Sequence, residues 1–434
     1  MARVVVVGGG YAGLASAARL AKLGHDVTVL EARDTLGGAL GRIERDGFTW
    51  DAGPTHTLLP AVARDLFRKS GRPLERELEL VPVDPLRRHR FEDGTELDLP
   101  AGRADQLAAV DAALGPGAGT AWVEHVDAFA DDWAALRRDY FERPYSRDLA
   151  GDHTKALLAT RLTLHKVLRR TFRKDERLRL LAGTAAVIEG HALRDVPAWV
   201  GLWSYVEQNF GTWTVPGGMA GLTDALAARL ATRRVQVETG TRVHDLEVRD
   251  GRVRGVSTDG GDVDADVVVV AMDPRRLPVL APHVRRTTPV IPPVVAHVGL
   301  EGTVPDLPHE TVFHGDPVLV VRTGGTAPAG HHAWTVLARG RISEDPVTAL
   351  ARLGVRVRDQ VVVQVDRSPL EQVSTYGGSP YGVLWQGRGT VAHRLGPRTP
   401  VPGAYLAGAN ANPGAGLAHV GLSASLVAQA VGPA

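Results

Sequence analysis

The chain opens Arg3-Val4-Val5-Val6-Val7-Gly8-Gly9-Gly10-Tyr11-Ala12-Gly13, a β-strand running into a glycine turn. Its valine run reads as a strand buried on both faces, as in a parallel sheet. Gly8, Gly10 and Gly13 follow at the spacing Gly-x-Gly-x-x-Gly, and Leu14 to Leu23 reads as a helix. A strand that feeds such a turn into a helix N-terminus presents free backbone N–H groups to a pyrophosphate. Gly8 allows the tight turn, Gly10 lets the phosphate approach the backbone, and Gly13 lets the helix pack close to the strand. The second strand, His25 to Leu30, ends at Glu31, eighteen residues beyond Gly13. An acid there is placed to accept hydrogen bonds from ribose hydroxyls.

A chain of 434 residues exceeds one small core, so two domains or one large interrupted domain are expected. The net charge of +1 gives no global pull on nucleic acid, and no nucleic-acid partner is expected. Arginines outnumber lysines 45 to five, which reads as codon bias and not as a function. The absence of cysteine excludes a disulfide framework, a thiolate zinc site and a cysteine nucleophile. No metal site is read from the histidines either, since the adjacent His331 and His332 point to opposite faces of a strand. With no apolar run of eighteen residues and a strand beginning at Arg3, neither a membrane span nor a signal peptide is expected, and the chain reads as cytoplasmic.

Beyond the opening unit, Thr35 to Gly53 is a Gly-rich excursion, followed by a helix from Leu59 to Gly71. Strand-like pieces follow at Leu78 to Val83 and Arg87 to Leu99, the latter split by the turn Glu92-Asp93-Gly94. From Arg103 to about Gln208 the pattern is mostly helical, with breaks at Gly115-Pro116-Gly117, Arg143-Pro144 and Val196-Pro197. α/β texture returns with a helix from Gly221 to Leu230, a hairpin over 243–258 and the buried run Val267 to Met272. Residues from about Val294 to Val365 read as strands with a helix near Pro346 to Gly354. Residues 1–75, 215–280 and 385–434 are therefore expected to form one discontinuous nucleotide domain. Residues 76–214 and 281–384, a helical and a strand-rich insert, are expected to form a substrate domain.

A second Gly-rich turn closes the chain: Ala404 to Gly408 reads as a strand, Ala409 to Gly416 as the turn, and His419 to Val431 as a helix. The positive end of that helix favours negative charge on the ring end of a long cofactor, which suits a flavin dinucleotide better than a nicotinamide one.

The segments Glu31-Ala32-Arg33-Asp34, Gly37-Gly38 and Asp46 to Thr55 resemble the FAD-binding start of phytoene desaturase-like enzymes, within the wider amine oxidase and glutathione reductase-like flavoprotein group. The resemblance recurs at Val215 to Met219, at Ala265 to Pro274 and at Val401 to Gly408. It implies a Rossmann-like FAD-binding domain of the glutathione reductase-2 type with an inserted α+β substrate domain. It also implies that Gly8, Gly10 and Gly13 cradle the FAD pyrophosphate, that Glu31 binds the adenosine ribose and that Arg33 flanks the adenine. Gly38 would pass the pyrophosphate or ribityl chain, Thr55 would lie near the isoalloxazine, and Val243 would meet adenine through its backbone. Gly408, Ala409 and Asn410 would touch the ribityl and diphosphate end, and Val420 the pyrimidine edge of the flavin. The chain departs from the family at Ala39, where an arginine is usual, with Arg42 as candidate substitute, and at Ala409, where an acid is usual.

Flavin dehydrogenation needs a C–H bond aimed at N5 and a dry pocket, because the cofactor carries the hard chemistry. The expected activity is dehydrogenation or isomerisation of an apolar, polyene or isoprenoid-like molecule. With a single complete dinucleotide unit, electrons are expected to leave to oxygen, a quinone or another diffusible acceptor. His56 and His419 are the acid–base candidates, since histidine titrates near neutrality. Glu189 and His191 form a second pair, read as surface groups. Trp199, Trp203, Tyr205, Phe210 and Trp213 gather before Pro216 and either wall a substrate or pack a core. Residues 161–179 carry eight Lys or Arg beside an apolar stripe of Leu162, Leu164, Val167, Leu168 and Phe172, a candidate peripheral membrane contact or a solvated helix face. Two other readings are an amine oxidase or tailoring oxidase of a small metabolite, and a non-catalytic prenyl-binding carrier of the same architecture.

Overall fold

A computed structural model describes all residues from Met1 to Ala434. The valine run forms the central strand Arg3–Val7 of a five-stranded parallel sheet. Asp26–Leu30 and then Gln236–Glu238 pair on one side of it, Val267–Val270 and then Ala404–Leu406 on the other. Alternate valines serve different layers. Val4 and Val6 pack on helices Tyr11–Lys22, Pro60–Ser70, Gly221–Thr232 and Leu417–Val431, while Val5 and Val7 meet the antiparallel sheet of Val243–Arg249, Arg252–Thr258 and Gly261–Asp264. Burial on both faces explains why the strand is apolar throughout and not alternating.

A seven-stranded sheet runs in the order Val361–Arg367, Val294–Glu301, His331–Arg339, Val318–Arg322, Glu310–Phe313, Arg87–Arg90, Glu96–Leu99. Neighbours are antiparallel except Glu310–Phe313 and Arg87–Arg90. The stretch from Arg103 to Phe210 forms helices around one apolar core that includes Trp122, Phe129, Trp133, Phe141 and Trp199.

Some elements differ from expectation. The excursion after Glu31 contains a hairpin, Arg42–Arg45 with Phe48–Asp51, turning at Asp46-Gly47. It is anchored by Asp51, whose carboxylate accepts from the Met219 and Ala220 amides at 3.0 and 3.2 Å. The strand expected over Leu78 to Val83 shrinks to Val81–Val83, paired with Thr212–Thr214. The closing helix begins at Leu417, which places His419 in its first turn.

Three of the five stripe residues in 161–179 face inward. Leu164, Leu168 and Phe172 are buried in the helical core, and the surrounding basic residues are mostly exposed. These three side chains thus have a protein partner, while Leu162 and Val167 are half-buried. No helix of the protein is long and apolar enough to cross a membrane.

Candidate flavin and substrate site

One continuous cleft of about 3020 Å³, open solvent at its mouth included, runs from the first glycine turn to the helical core. Gly8 and Gly10 line one end, and Glu31, Arg33, Gly38, Ala39 and Val243 lie around them. Gly408, Ala409, Asn410, Val420, His56 and His419 line it further along. Three residues expected at the site do not line the cleft. Gly13 lies beneath Gly8, Thr55 is buried behind His56, and Arg42 turns outward to pair with Asp224 at 2.5 Å. Arg42 therefore does not replace the arginine missing at Ala39, because its short strand points it at helix Gly221–Thr232.

Two helices aim their N-termini into this space. Tyr11–Lys22 starts after Gly10, and Leu417–Val431 after Gly416; neither has a side-chain cap or an acid in its first turn. The first-turn N–H groups at both ends are thus free for an anion or a polar ring edge. Gly8 turns with φ of +105°. A Cβ on Gly10 would meet nothing nearer than 3.8 Å, an ordinary contact, so no protein atom crowds its backbone. An extended dinucleotide with a pyrophosphate at one end and an electron-rich ring at the other fits this cradle.

Glu31 has a structural duty as well. Its Oε2 accepts from the Gly9 amide at 2.6 Å and its Oε1 from the Arg33 amide at 2.9 Å, which fixes the glycine turn. A carboxylate has further lone pairs to offer a ribose. Glu31→Ala should therefore weaken FAD binding by about 1–3 kcal/mol, with two amides losing their acceptor. Titration of apo-protein with FAD checks this, and unchanged affinity would remove Glu31 from the site.

Both candidate histidines are buried. Burial pushes His56 down to about 3 and His419 down to about 4, so both are neutral at neutral pH. His419 Nδ1 bonds the Ala415 carbonyl, which only accepts, so Nδ1 carries the proton. Its Nε2 has no protein partner, and its ring stands edge-on to Trp203 with centroids 4.1 Å apart. The aromatic group divides: Trp203 lines the cleft, Trp199 packs the helical core, Phe210 is partly exposed, and Trp213 lies under Arg64.

Glu189 and His191, expected at the surface, belong to the cleft region instead. Glu189 follows helix Glu176–Ile188, whose C-terminus delivers its carboxyl into the cleft, and His191 is buried behind it. The Glu189 side chain is 45% exposed, but the space it faces is the cleft. Burial raises it to about 7 against the pull of Arg339, Arg394 and Arg322. A Cβ on Gly416 would lie 3.4 Å from His419 Nδ1 and 3.8 Å from Glu189 Oε1, so both groups flank the start of the closing helix.

The largest feature absent from the sequence reading is a buried charge network. Arg87 grips both oxygens of Glu207 at 2.9 and 3.2 Å and donates to Glu310 Oε1 at 2.8 Å. Glu310 Oε2 accepts from Arg322 Nε at 2.8 Å. Burial pushes the Glu310 carboxyl up, but Arg322 and Arg87 outweigh it and hold it well below the ordinary range. All four side chains line the cleft.

A dinucleotide cradle opening onto a large partly apolar chamber defines a flavin-dependent oxidoreductase of the FAD-binding α/β class. The family described as flavin containing amine oxidoreductase matches residues 11–432, and the chain belongs to it. Within it the chain is phytoene desaturase-like: it is 31% identical to hydroxyneurosporene desaturase of Cereibacter sphaeroides over 99% of this chain and 97% of that one. It is 30% identical to phytoene dehydrogenase of Streptomyces griseus, over 99% and 94% of the two chains. Among solved structures, cyclohexylamine oxidase of Brevibacterium oxydans superposes with a TM-score of 0.69 at 16% identity, covering 99% of each chain, a likeness of fold.

Proposed function

We propose that this enzyme dehydrogenates an apolar polyene or isoprenoid-like substrate in an FAD-dependent reaction. The observation that carries the reading is the far end of the cleft, walled by Leu58, Leu99, Trp122, Leu164, Leu181 and Val200. A hydrocarbon body gains about 25 cal/mol for each Å² it buries there. The relatives named for carotenoid desaturation support the same substrate class. The division into a nucleotide domain of 1–75, 215–280 and 385–434 and a substrate domain of 76–214 and 281–384 belongs to this reading.

The carboxylates facing the cleft argue against an amine. Glu207 and Glu310 are already paired with arginines, Asp273 is paired with Arg275, and Asp51 and Glu31 hold backbone amides, so none of these five is left to balance a substrate cation. Glu189 is the remaining carboxyl of the cleft, and burial favours its neutral form.

Gly8, Gly10, Glu31, Arg33, Gly38 and Val243 would hold the adenosine and pyrophosphate, with Gly13 beneath the turn letting helix and strand approach, and Gly408, Ala409, Asn410 and Val420 would hold the ribityl and ring end. FAD, when bound, supplies the two-electron acceptor. The protein seats the substrate, excludes water and receives the proton that an allylic cation sheds once hydride has left. His56 and His419, held far below neutrality, are weak bases. Glu189, with a value of about 7, is the better proton acceptor at the site. The final electron acceptor is oxygen, a quinone or another diffusible oxidant.

Two measurements follow. Incubation with an acyclic polyene should move its absorption to longer wavelength as each new double bond extends conjugation; turnover of amines with peroxide release would replace this reading. In a pH profile, activity should rise as pH passes about 7, where Glu189 becomes a carboxylate. Glu189→Gln should abolish that limb and lower turnover about 10²- to 10⁴-fold, the usual worth of a general base. An unchanged profile would remove Glu189 from the proton path.

A further inference from the structure

The charge network is part of a longer polar row that crosses the seven-stranded sheet. Glu310 stands directly opposite Arg322, Arg322 opposite Thr335, and Thr335 opposite His297. Residues paired in this way project from the same face, so the four side chains form one line across four strands, and Arg87 extends it from the next. Every member lines the cleft. Two residues along the strands, the same face carries Val295, Leu337, Val320 and Val312, which form an apolar cluster. A polar row beside an apolar one is not required for packing, and taking its charges from water is costly.

The row keeps unused charged donors at one residue, beside the unbonded Nε2 of His297. Glu310 commits one oxygen to each arginine, and Arg87 commits all three nitrogens to Glu310 and Glu207. His297 Nδ1 and Thr335 Oγ1 are 3.1 Å apart and serve each other. Arg322 uses only Nε, and its two terminal nitrogens have no protein partner. They are not among the buried polar atoms left without a bond, and the side chain lines the cleft, so these donors face its interior. A guanidinium donates and never accepts. Arg87, Arg322, Glu207 and Glu310 balance in charge, so a carboxylate would leave an unbalanced anion, whereas a hydroxyl or carbonyl oxygen would not.

Resting on the polyene reading above, we propose that Arg322, braced by Glu310, seats a neutral oxygen, hydroxyl or carbonyl, carried by an otherwise hydrocarbon substrate. The valine–leucine row beside it then takes the adjoining chain. The enzyme prefers an oxygenated polyene over the parent hydrocarbon because only the former satisfies the free donors.

The test uses the FAD-loaded enzyme, an acyclic polyene hydrocarbon and its terminal-hydroxyl derivative. Binding is followed by quenching of tryptophan fluorescence, since Trp203 and Trp122 line the cleft, and turnover is followed separately. Wild type should bind the hydroxyl compound about 10- to 100-fold more tightly than the hydrocarbon, the worth of a charge-assisted hydrogen bond. Arg322→Met should erase that preference by weakening the hydroxyl compound alone, and Arg322→Lys, which keeps the charge beside Glu310, should restore part of it. Equal binding of the two compounds by wild type, or equal loss of both in Arg322→Met, overturns the proposal. So does a fall in flavin content or an altered flavin spectrum in both variants, which would assign Arg322 to the cofactor. A preference that depends on Arg322 without turnover of either compound supports the anchor and contradicts the reaction instead.

Discussion

Gly13→Ala should yield no folded, flavin-loaded protein. A Cβ there would lie 1.9 Å from the Gly8 carbonyl oxygen and 3.3 Å from Val6 Cγ1. The first of these is backbone, so relief requires the helix Tyr11–Lys22 to move off the strand Arg3–Val7. That helix also carries Leu14, Ala17, Ala18 and Leu20 into the core it shares with three other helices. Overpacking ordinarily costs about 1–3 kcal/mol, and a contact with immovable backbone exceeds that range. Gly10→Ala supplies the contrast. Its Cβ would make only ordinary contacts, 3.8 Å to Gly38 Cα and 3.9 Å to the Gly37 carbonyl oxygen, so this variant should fold and melt like wild-type apo-protein but fail to retain FAD, because the methyl occupies the cradle. Melting curves and flavin content of the two purified variants separate the roles. A stable, yellow Gly13→Ala would contradict the close approach of helix and strand.

Glu310→Leu should be the most damaging change on the substrate side. It strands Arg322 without a partner and leaves Arg87 with Glu207 alone. Breaking a buried pair from one side costs about 3–5 kcal/mol, because the remaining charge stays out of water. The pH dependence follows from the sign of the shift. The folded carboxyl is held below its ordinary value of 4.5, so its contribution is complete above that pH and is lost as pH falls towards the folded value. The gap in melting temperature between wild type and Glu310→Leu should therefore be full at pH 7 and narrow below about pH 4.5. A gap that does not change with pH would mean that shape and not charge is lost.

The cofactor half of the molecule was legible because its signals are local. An apolar run, glycines at fixed spacing and an acid at the end of the next strand all lie within the first 31 residues, and physics ties each to one conformation. The same holds for Ala404 to Val431, where a strand, a glycine turn and a helix adjoin. The polar row was hidden because its members, at 87, 297, 310, 322 and 335, come from five strands and meet only through sheet register. No periodicity in one segment reports a side chain that waits for a partner far along the chain.

Glu189 misled because charge was read as exposure, whereas the basic segment does carry its charges in solvent and turns part of its apolar stripe to the core. Glu189 sits where a helix ends against the cleft, and 161–179 combines exposed arginines with Leu164, Leu168 and Phe172, which the helical core absorbs. Arg42 failed as a stand-in for the arginine missing at Ala39 because nearness in sequence says nothing about direction, and its hairpin turns it towards Asp224.

The most direct test of the flavin site is the visible spectrum of the purified protein, before and after anaerobic addition of a polyene. The expected result is the two-banded spectrum of an oxidised flavin that bleaches as the polyene is added, with FAD released on denaturation. A colourless protein that takes up no FAD on reconstitution would contradict the assignment of this cleft to redox catalysis.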